Sequence, residues 1–441
     1  MHRPFKTILL IVLLTIVAGS TFAYTPAYYG EKKSGSLRWR SGKIRVAVSS
    51  SLLKQTSNIK SDSDIEGALN RSLLTWEKAA NIKFEDSASD TQNVSPSGNS
   101  GDGISLISIA PTPENLLLFV KNPGEVAATT RVFYDKMGFI TEADIVLNPY
   151  QQFSTDGTFG SFDLESTLTH EIGHLLGLDH SAVLGSTMFD NYGKNGVYGL
   201  QNFAPRTLSE IDLSSIRARY GTPATSIKCC GAINGKLHSP GGKAANNTNV
   251  WAENAKTGKV HAETSTNSDG EFEVNGLQAG VYKLFAQEFR TSTKSFPVNH
   301  LGEVAVTNGN TATLTKSLSG KPNDFELQYV GFNGQLSGLA VPVNAGKAYT
   351  IYLGGKHLES KNISFRFDSR FLSITPDTFI SHDYGQDLSV VSFELRVDPR
   401  APVGEYSVFA DSASGGRNVV VGGIAVRRFL NPLSNVNIED N

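Results

Sequence analysis

Three histidines lie close together in this 441-residue chain, in the run HEIGHLLGLDH from His170 to His180. His170 and His174 are four residues apart, so on an α-helix their side chains project from one face within reach of a single cation. Gly177 can adopt a positive φ, which ends the helix and turns the chain back toward that face. The run therefore predicts a helix, a tight turn and a metal site in which His180 supplies a third nitrogen ligand.

The residue types in this run favour catalysis over a structural role. Three neutral imidazoles that leave one coordination position open are typical of a catalytic zinc ion (Zn2+). Glu171 lies beside the first ligand, where its carboxylate can take a proton from water that the metal acidifies. A purely structural zinc has no use for such a base. A chance arrangement is also disfavoured, because three of only nine histidines fall in this run.

The charge balance excludes one class of function. The chain has 40 Lys and Arg against 42 Asp and Glu, which gives a formal net charge of -2. Nucleic-acid binding depends strongly on neutralising phosphates with a basic excess, and this chain has none. We therefore expect no nucleic-acid partner.

The first residues have the pattern of a secretory signal peptide. Arg3 and Lys6 precede an apolar run at residues 8–18, and small residues at 21–23 suit signal peptidase. We predict a signal peptide at 1–23 and an exported protein that is secreted or extracellular, periplasmic or on the cell surface. The apolar run has about 11 residues against roughly 20 for a spanning helix, so an uncleaved membrane anchor is the weaker alternative. No transmembrane span is expected after cleavage.

The region from residue 24 to residue 222 has the order of strands and helices expected of one α+β domain. Residues 36–48 have the pattern of an opening strand. The spacing of apolar residues predicts a helix over residues 65–80, and another over residues 208–220. Asp163 is a suitable N-cap for the helix that carries His170 and His174.

Beyond Pro223 the pattern of apolar and turn-forming residues changes. Short apolar runs alternate with turn signals such as residues 240–242 and 267–270, which is typical of β-sandwich domains. We predict an all-β sandwich at 227–320, a second at 321–429 and a polar tail at 430–441. The predicted fold is thus an α+β domain followed by two all-β sandwich domains.

The histidine run resembles the zinc signature of the metzincin endopeptidases, whose catalytic domain is zincin-like. Ser181, directly after the third histidine, is similar to the matrixin (M10-type) branch. Residues 186–189 resemble the methionine turn of that family, which implies that Met188 packs beneath the metal and supports the site. Tyr192 falls where matrixins commonly carry a tyrosine on the wall of the primary specificity pocket. The resemblance covers about residues 37–221.

The resemblance also implies how substrate would bind. It makes Asp144, Ile145, Val146 and Leu147 the upper edge strand, along which an extended substrate pairs through backbone hydrogen bonds. A plain sheet edge explains the same residues. The family likeness implies one catalytic zinc ion, while calcium (Ca2+) binding is left open because nothing in the sequence indicates it.

The two C-terminal regions resemble known modules. Residues 231–287 are similar to the carboxypeptidase regulatory-like β-sandwich, and residues 338–426 resemble an immunoglobulin-like (Ig-like) sandwich less specifically. Neither region shows a catalytic constellation, so their expected roles are spacing, surface attachment or holding a substrate near the first domain.

The chain has two cysteines, Cys229 and Cys230, and they are adjacent. Such a pair cannot staple distant segments together, so the chain has no disulfide framework. A vicinal disulfide, an intermolecular bridge and two buried thiols are all open. We expect no catalytic role for either cysteine.

The function favoured by the sequence is that of a secreted zinc endopeptidase, with Glu171 as general base and His170, His174 and His180 as metal ligands. Its expected partners are protein or peptide substrates, and extracellular-matrix or cell-surface components are candidate partners of the β-sandwich modules. The alternative is a surface adhesion or binding protein whose zincin domain is catalytically silent.

Overall fold

The computed structural model describes residues 36–428, apart from 55, 97–100, 122, 123, 125, 192, 201–204, 224–228, 289–295, 360, 361, 386 and 387. The predicted signal peptide at 1–23 and the predicted tail at 430–441 lie outside the described residues. No helix in the described part is both long and apolar enough to cross a membrane.

The first domain is built on a six-stranded sheet with helices packed against it. The sheet order is β1-β6-β4-β2-β3, and β5 pairs with β6. The strands of this sheet are β1 (Arg38–Trp39), β2 (Lys43–Ser49), β3 (Lys83–Ser89), β4 (Leu106–Ser108), β5 (Ala128–Tyr134) and β6 (Phe139–Leu147), and two short strands, β7 (Phe153–Ser154) and β8 (Phe162–Asp163), pair with each other. The helices are α1 (Ser50–Leu53), α2 (Ile65–Ala79), α3 (Pro113–Leu116), α4 (Leu164–Leu175) and α5 (Glu210–Tyr220), with 3-10 turns at Leu117–Phe119 and Val197–Gly199.

The opening strand differs from the prediction of one strand over residues 36–48. Two strands form, β1 and β2, with a turn between them that contains Gly42. A Cβ on Gly42 would lie 2.6 Å from the backbone oxygen of Asn81, so the close approach of the chain requires glycine there. β1 then pairs with β6, whereas β2 lies between β3 and β4.

The prediction that residues 144–147 form an edge strand is wrong. These residues belong to β6, which pairs in parallel with β4 and along its other side in antiparallel with β5. Asp144, Ile145, Val146 and Leu147 are all buried. With both backbone edges already paired, they cannot add a substrate strand. The strand at this edge of the sheet is β5, Ala128–Tyr134.

Helices α2 and α4 pack together beneath the sheet. Both begin at an aspartate cap: Asp64 accepts a hydrogen bond from the Gly67 N–H, and Asp163, the cap that the sequence predicts, accepts one from the Ser166 N–H. The buried Trp76 indole N–H of α2 donates to the backbone oxygen of Thr169 at 2.8 Å. This bond fixes α2 across the middle of α4, so the helix that carries the two histidines is rigidly placed.

The second domain is a sandwich of two sheets. One sheet has the order β11-β10-β13-β14, and the other has the order β12-β9-β15. Their strands are β9 (Gly231–His238), β10 (Thr248–Asn254), β11 (Val260–Ser265), β12 (Glu271–Leu277), β13 (Gly280–Glu288), β14 (Asn299–Val306) and β15 (Thr311–Ser317). Before β9, Cys229 and Cys230 form a disulfide with each other, which selects the vicinal bond among the three alternatives.

The third domain is also a sandwich. Its sheets have the orders β17-β16-β19-β23-β21, with β22 paired to β23, and β18-β25-β24-β20. The strands are β16 (Glu326–Phe332), β17 (Gln335–Ser337), β18 (Val341–Asn344), β19 (Ala348–Lys356), β20 (Ile363–Phe367), β21 (Leu372–Ile374), β22 (Ile380–Asp383), β23 (Ser389–Val397), β24 (Gly404–Ser412) and β25 (Arg417–Arg427). The predicted class, an α+β domain followed by β-sandwich modules, is confirmed.

A buried apolar cluster joins all three domains, and we call it the junction. At its centre the Phe285 ring lies 5.5 Å from the Trp251 ring and 5.2 Å from the Phe409 ring, measured between centroids. Its members are Val183 and Ile211 of the first domain, Trp251, Val260, Phe285 and Val298 of the second, and Phe409, Val419 and Val421 of the third. The three domains therefore share a continuous packed interior.

A buried carboxyl group next to the junction makes the stability of the protein depend on pH. Glu253 of β10 accepts hydrogen bonds from the Ser407 hydroxyl at 2.6 Å and from the Trp251 indole N–H at 3.0 Å. Burial raises the pKa of Glu253 to about 7, although the two hydrogen bonds and the nearby Arg366 act in the opposite direction and Asp368 adds to the rise.

The unfolded chain loses this proton near pH 4.5, whereas the folded chain keeps it up to about pH 7. The contribution to stability is therefore complete below pH 4.5 and falls as the pH rises to 7. Replacement Glu253→Gln keeps an acceptor oxygen without the charge. We expect the free energy of unfolding of the variant, relative to that of wild type, to rise by about 3 kcal/mol as the pH goes from 4.5 to 8. Urea unfolding across this range measures it. The exposed Glu303→Gln should show no such gain, and parallel wild-type and Glu253→Gln curves would contradict the expectation.

Candidate metal centre

The turn after α4 brings the third histidine back to the first two. The Gly177 N–H donates to the His174 backbone oxygen at 2.8 Å, and the Leu178 N–H donates to the Gly173 backbone oxygen at 2.9 Å. Gly177 has φ 86°. A Cβ at this position would overlap the backbone oxygen of Leu37, so both the conformation and the space require glycine. The predicted turn at Gly177 is present.

The three imidazoles converge. The ring centroids of His170 and His174 are 4.7 Å apart, those of His174 and His180 are 4.7 Å apart, and those of His170 and His180 are 5.3 Å apart. The Nε2 atoms of His174 and His180 are separated by 3.1 Å. One nitrogen from each ring lies within 4.8 Å of the others.

Backbone carbonyls orient two of these rings. His170 Nδ1 lies 2.7 Å from the Thr187 backbone oxygen, and His174 Nδ1 lies 2.9 Å from the Leu178 backbone oxygen. A carbonyl can only accept, so each Nδ1 carries the proton and each Nε2 keeps its lone pair for a metal. Burial lowers the pKa of His170 well below its ordinary value, lowers the pKa of His174 and lowers the pKa of His180 to about 3. Neutral imidazole is the form that binds metal.

This donor set fits zinc. Imidazole nitrogens are ordinary zinc ligands, and three protein ligands leave room for a fourth from solvent or substrate. In the part of the chain that the structure describes, His170, His174 and His180 are the group of at least three His, Cys, Asp or Glu residues placed to hold one ion. The cluster is therefore compatible with the zinc site that the sequence predicts.

Glu171 lies beside the cluster and contacts the edge of the sheet. Its side chain is buried, and Oε2 accepts a hydrogen bond from the Thr130 hydroxyl at 2.5 Å. Thr130 lies in the middle of β5, whose outer backbone edge pairs with no other strand among the described residues. The unpaired edge of the sheet thus runs next to Glu171. Sequence reasoning missed Thr130, since a threonine in a short strand carries no signal for this contact.

Met188 lies against the helix that carries His170 and His174. It is buried, and a Cβ on Gly173 would overlap its Sδ and lie 2.9 Å from the Trp76 ring. Only glycine at position 173 lets Met188 come this close to α4 between His170 and His174. The backbone of the same turn is tied to the segment after the third ligand, because the Ser181 N–H donates to the Met188 oxygen at 2.7 Å.

Comparison with known proteins agrees with this geometry. Residues 38–221 match the family model described as Matrixin.

We call these residues the matrixin domain, after the family that they match. Residues 232–319 match the model of the carboxypeptidase regulatory-like domain. A curated relative, "Metalloendoproteinase 1" of Glycine max, is 26% identical over 194 residues, which are 42% of this chain and 53% of that protein. The chain thus spans about half the length of this relative. The matches support a metalloprotease type for the matrixin domain.

Two solved structures with detectable similarity are more distant. The major pilin subunit BcpA of Bacillus cereus is 13% identical, with 43% of this chain and 66% of the pilin covered and a TM-score of 0.17. A putative membrane anchored protein from Corynebacterium diphtheriae is 10% identical, with 48% and 62% covered and a TM-score of 0.19. Scores this low do not indicate a shared fold.

Asp212 holds the turn that contains Met188. Its carboxylate accepts hydrogen bonds from the Ser186 hydroxyl at 2.6 Å, the Thr187 N–H at 3.0 Å and the Met188 N–H at 3.2 Å. It also accepts from the Ser209 N–H and hydroxyl, and together these residues form the capping box of α5. The start of α5 therefore fixes Thr187, whose carbonyl orients His170. The Ser209-to-Asp212 spacing was the one signal in the sequence that could have pointed to Asp212.

The second domain contacts the segment that follows His180 of the matrixin domain. Glu263 of β11 is buried and accepts hydrogen bonds from the Ser181 hydroxyl and, at 3.0 Å, from the Ala182 N–H. Burial raises the pKa of Glu263 to about 7. Sequence reasoning could not find this contact, because 82 residues separate Ser181 from Glu263 and no motif links them.

The two groups of predicted pocket residues have different outcomes. Tyr192 lies outside the described residues. Asp144 accepts hydrogen bonds from the Ser95 N–H at 2.9 Å and the Leu106 N–H at 3.0 Å, so its carboxylate fixes the chain that enters β4. Burial raises the pKa of Asp144 to about 7. As described above, residues 145–147 lie in the interior of the sheet.

Proposed function

We propose that this chain is an exported zinc endopeptidase that hydrolyses peptide bonds in protein substrates. One observation carries the proposal: three imidazoles converge, those of His170 and His174 have their Nε2 atoms available, and the carboxylate of Glu171, the residue after His170, is buried. The match of residues 38–221 to the matrixin family supports it. Export is supported by the signal pattern at residues 1–23.

The chain's own residues supply the remaining steps of hydrolysis. His170, His174 and His180 would hold zinc, which when bound polarises a carbonyl and lowers the pKa of water. Glu171 acts as general base, taking a proton from the attacking water at its carboxylate, and then as general acid toward the leaving amine. The Thr130 hydroxyl donates to Oε2 of Glu171 and keeps the carboxylate oriented while it gains and loses the proton.

Strand β5 is the surface on which we place the substrate backbone. An extended peptide can add to an unpaired strand edge through main-chain hydrogen bonds, which need no particular side-chain sequence. The contact between Thr130 and Glu171 puts this edge next to the base. A peptide paired to β5 therefore presents its carbonyl groups near the metal ligands, and residues 128–134 replace residues 144–147 in this role.

The alternative, an adhesion or binding protein with a silent zincin domain, is not favoured. The domain keeps all three ligands and the carboxylate, and the buried glutamate is oriented by a hydrogen bond. We also propose that the two C-terminal domains act as spacers, attach the protein to a surface or hold a substrate. Their candidate partners are extracellular-matrix or cell-surface components. The third domain is proposed to be Ig-like.

Metal removal tests the proposal. We expect the chain from residue 24 onward to hold one zinc ion and to cleave an unstructured peptide library. Treatment with 1,10-phenanthroline should remove the zinc and abolish cleavage, because the ligands alone cannot polarise a carbonyl, and added zinc should restore it. Elemental analysis and mass spectrometry of products measure both effects. The variant His382→Ala, in the third domain, serves as a control and should keep zinc and activity. A chain that holds zinc and cleaves nothing would support the adhesion alternative.

A further inference from the structure

We infer that Tyr198 is a positioning residue: through it, the third domain fixes one wall of the metal centre and sets which substrate side chain is accepted next to the scissile bond. The inference rests on the proposed peptidase function. It concerns the part of the matrixin domain between Met188 and α5, which we call the wall segment. Its described residues are 189–191, 193–200 and 205–207.

Both ends of the wall segment lie at the metal centre. It begins directly after Met188, and at its other end the Thr207 backbone oxygen accepts a hydrogen bond from the Thr187 hydroxyl at 2.9 Å. The backbone oxygen of Thr187 orients His170. Arg206 pairs with the carboxylate of Asp163, the cap of α4, at 2.6 Å. Both ends of the wall segment therefore lie beside the proposed ligands. A substrate side chain next to the scissile bond would contact the segment there.

The middle of the wall segment is also attached to its own domain. The Gly160 N–H donates to the Asn195 oxygen at 2.9 Å, and the Asn195 N–H donates to the Ser161 oxygen at 2.8 Å. Ser161 directly precedes β8, which leads into α4. A shift of residues 195–198 would thus be transmitted to the chain that enters the metal-binding helix.

Beyond Asn195 the wall segment is held by the third domain. The Tyr198 side chain is fully buried and belongs to the apolar core of that sandwich, with Phe332 at 6.5 Å between ring centroids. Its hydroxyl lies 3.0 Å from the Leu339 backbone oxygen and also bonds the Ser337 hydroxyl. The Asn333 side-chain amide donates to the Tyr198 backbone oxygen at 2.9 Å. A side chain of the matrixin domain is therefore built into the core of another domain.

The backbone around Tyr198 is shaped to make this insertion. Tyr198 has φ 56°, in the left-handed region that residues other than glycine rarely adopt, and Gly196 and Gly199 on either side have φ 102° and 71°. The Gly199 N–H closes the turn onto the Gly196 oxygen at 3.0 Å. Such a conformation persists only where surrounding contacts determine it, and here those contacts come from the third domain.

The consequence is that the third domain acts on specificity at a distance. If Tyr198 merely joined two domains, its loss would lower stability and leave selectivity unchanged. If it positions the wall segment, its loss also changes the relative kcat/KM of peptides that differ only in the residue next to the scissile bond. Selectivity is therefore the readout that separates the two roles.

The test compares wild type with Tyr198→Ala, Tyr198→Phe and Ser337→Ala, and uses Tyr406→Phe as the matched control. Tyr406 is a fully buried tyrosine of the third domain whose hydroxyl donates to the Pro402 oxygen at 2.8 Å. We expect Tyr198→Ala to change the kcat/KM ratio of a peptide pair, one with leucine and one with alanine next to the cleaved bond, by about tenfold. Tyr198→Phe and Ser337→Ala should shift it in the same direction by less, and Tyr406→Phe should leave it unchanged.

Hydrogen exchange gives a second readout that does not need activity. Peptides covering residues 193–200 should exchange faster in Tyr198→Ala than in wild type, whereas Tyr406→Phe should leave them unchanged. The inference would be overturned by variants that bind zinc and keep both the wild-type kcat/KM ratio and the wild-type rate of hydrogen exchange. If Tyr198→Ala does not fold, Tyr198→Phe and Ser337→Ala provide the test. A wild-type chain that cleaves no peptide would instead overturn the proposed function, so the two failures are distinguishable.

Discussion

Replacing Glu171 by alanine is expected to lower kcat/KM by about 10²–10⁴-fold, the usual contribution of a positioned general base. The carboxylate is buried beside the three imidazoles and is oriented by Thr130, and Glu171 is not itself among the proposed ligands. Zinc content should therefore stay at the wild-type level while the rate of peptide cleavage collapses. Steady-state kinetics on one library peptide, with elemental analysis of the same sample, measure both quantities.

The isosteric Glu171→Gln variant sharpens this test. It keeps an oxygen that can accept from Thr130 but cannot take up a proton at neutral pH, so its loss of activity should match that of Glu171→Ala. The exposed Glu66→Gln, in the first turn of α2, is the control and should behave as wild type. Wild-type turnover by Glu171→Gln would show that another group takes the proton.

Replacing Asp212 by alanine is expected to destabilise the matrixin domain by about 3–5 kcal/mol. The carboxylate is buried and accepts hydrogen bonds from the Ser186, Thr187, Met188 and Ser209 groups. Alanine would leave the buried N–H donors of this set without their acceptor, and each such group costs about 1–3 kcal/mol. Urea unfolding followed by tryptophan fluorescence measures the loss.

Ser209→Ala provides the comparison for Asp212→Ala. It removes the hydroxyl of the capping box but leaves the carboxylate on the methionine turn, so a cost of about 1 kcal/mol is expected. Asp212→Ala should in addition weaken zinc binding, because the turn places the Thr187 oxygen against His170. Equal losses of stability in the two variants, with unchanged zinc affinity, would mean that Asp212 serves the helix alone.

The elements around the metal were predictable because their signals are local. Asp163 before an apolar stripe marks where α4 begins, and Gly177 marks where it ends, since each acts on the backbone within a few residues. The fold class of the chain likewise follows from the order of helical and strand-like patterns. Such signals need no knowledge of what packs against the segment.

The edge of the sheet could not be predicted in the same way. Which strand is outermost depends on pairing between distant segments, and here β5 adds outside β6 in the antiparallel direction. The sequence carried one signal of this: four of the residues 143–147 are apolar, with no alternation of polar and apolar positions, as expected of an interior strand rather than an edge. For residues 144–147, the lack of alternation between polar and apolar residues was a better guide to the position of the strand in the sheet than the resemblance to the family.

The residues of the candidate site likewise fall into a group with local sequence signals and a group without them. The ligands and Glu171 follow from one short run, whereas the groups that orient them come from elsewhere in the chain. Thr130, Asp212 and Glu263 reach the site only through tertiary structure, from another strand, another helix and another domain. The sequence therefore predicts the chemistry, and the fold brings together the groups that the prediction needs.

The junction has a practical consequence for work with fragments. A recombinant piece that stops after residue 221 would carry Val183, Ile211 and Tyr198 as apolar surface facing water, since their partners belong to the sandwiches. Such patches promote self-association, and the turn at Tyr198 would lose the contacts with the third domain that hold its side chain and backbone oxygen. Fragments chosen by family boundaries alone would thus misrepresent this molecule, and drug screens or crystallisation trials should begin from the three-domain unit.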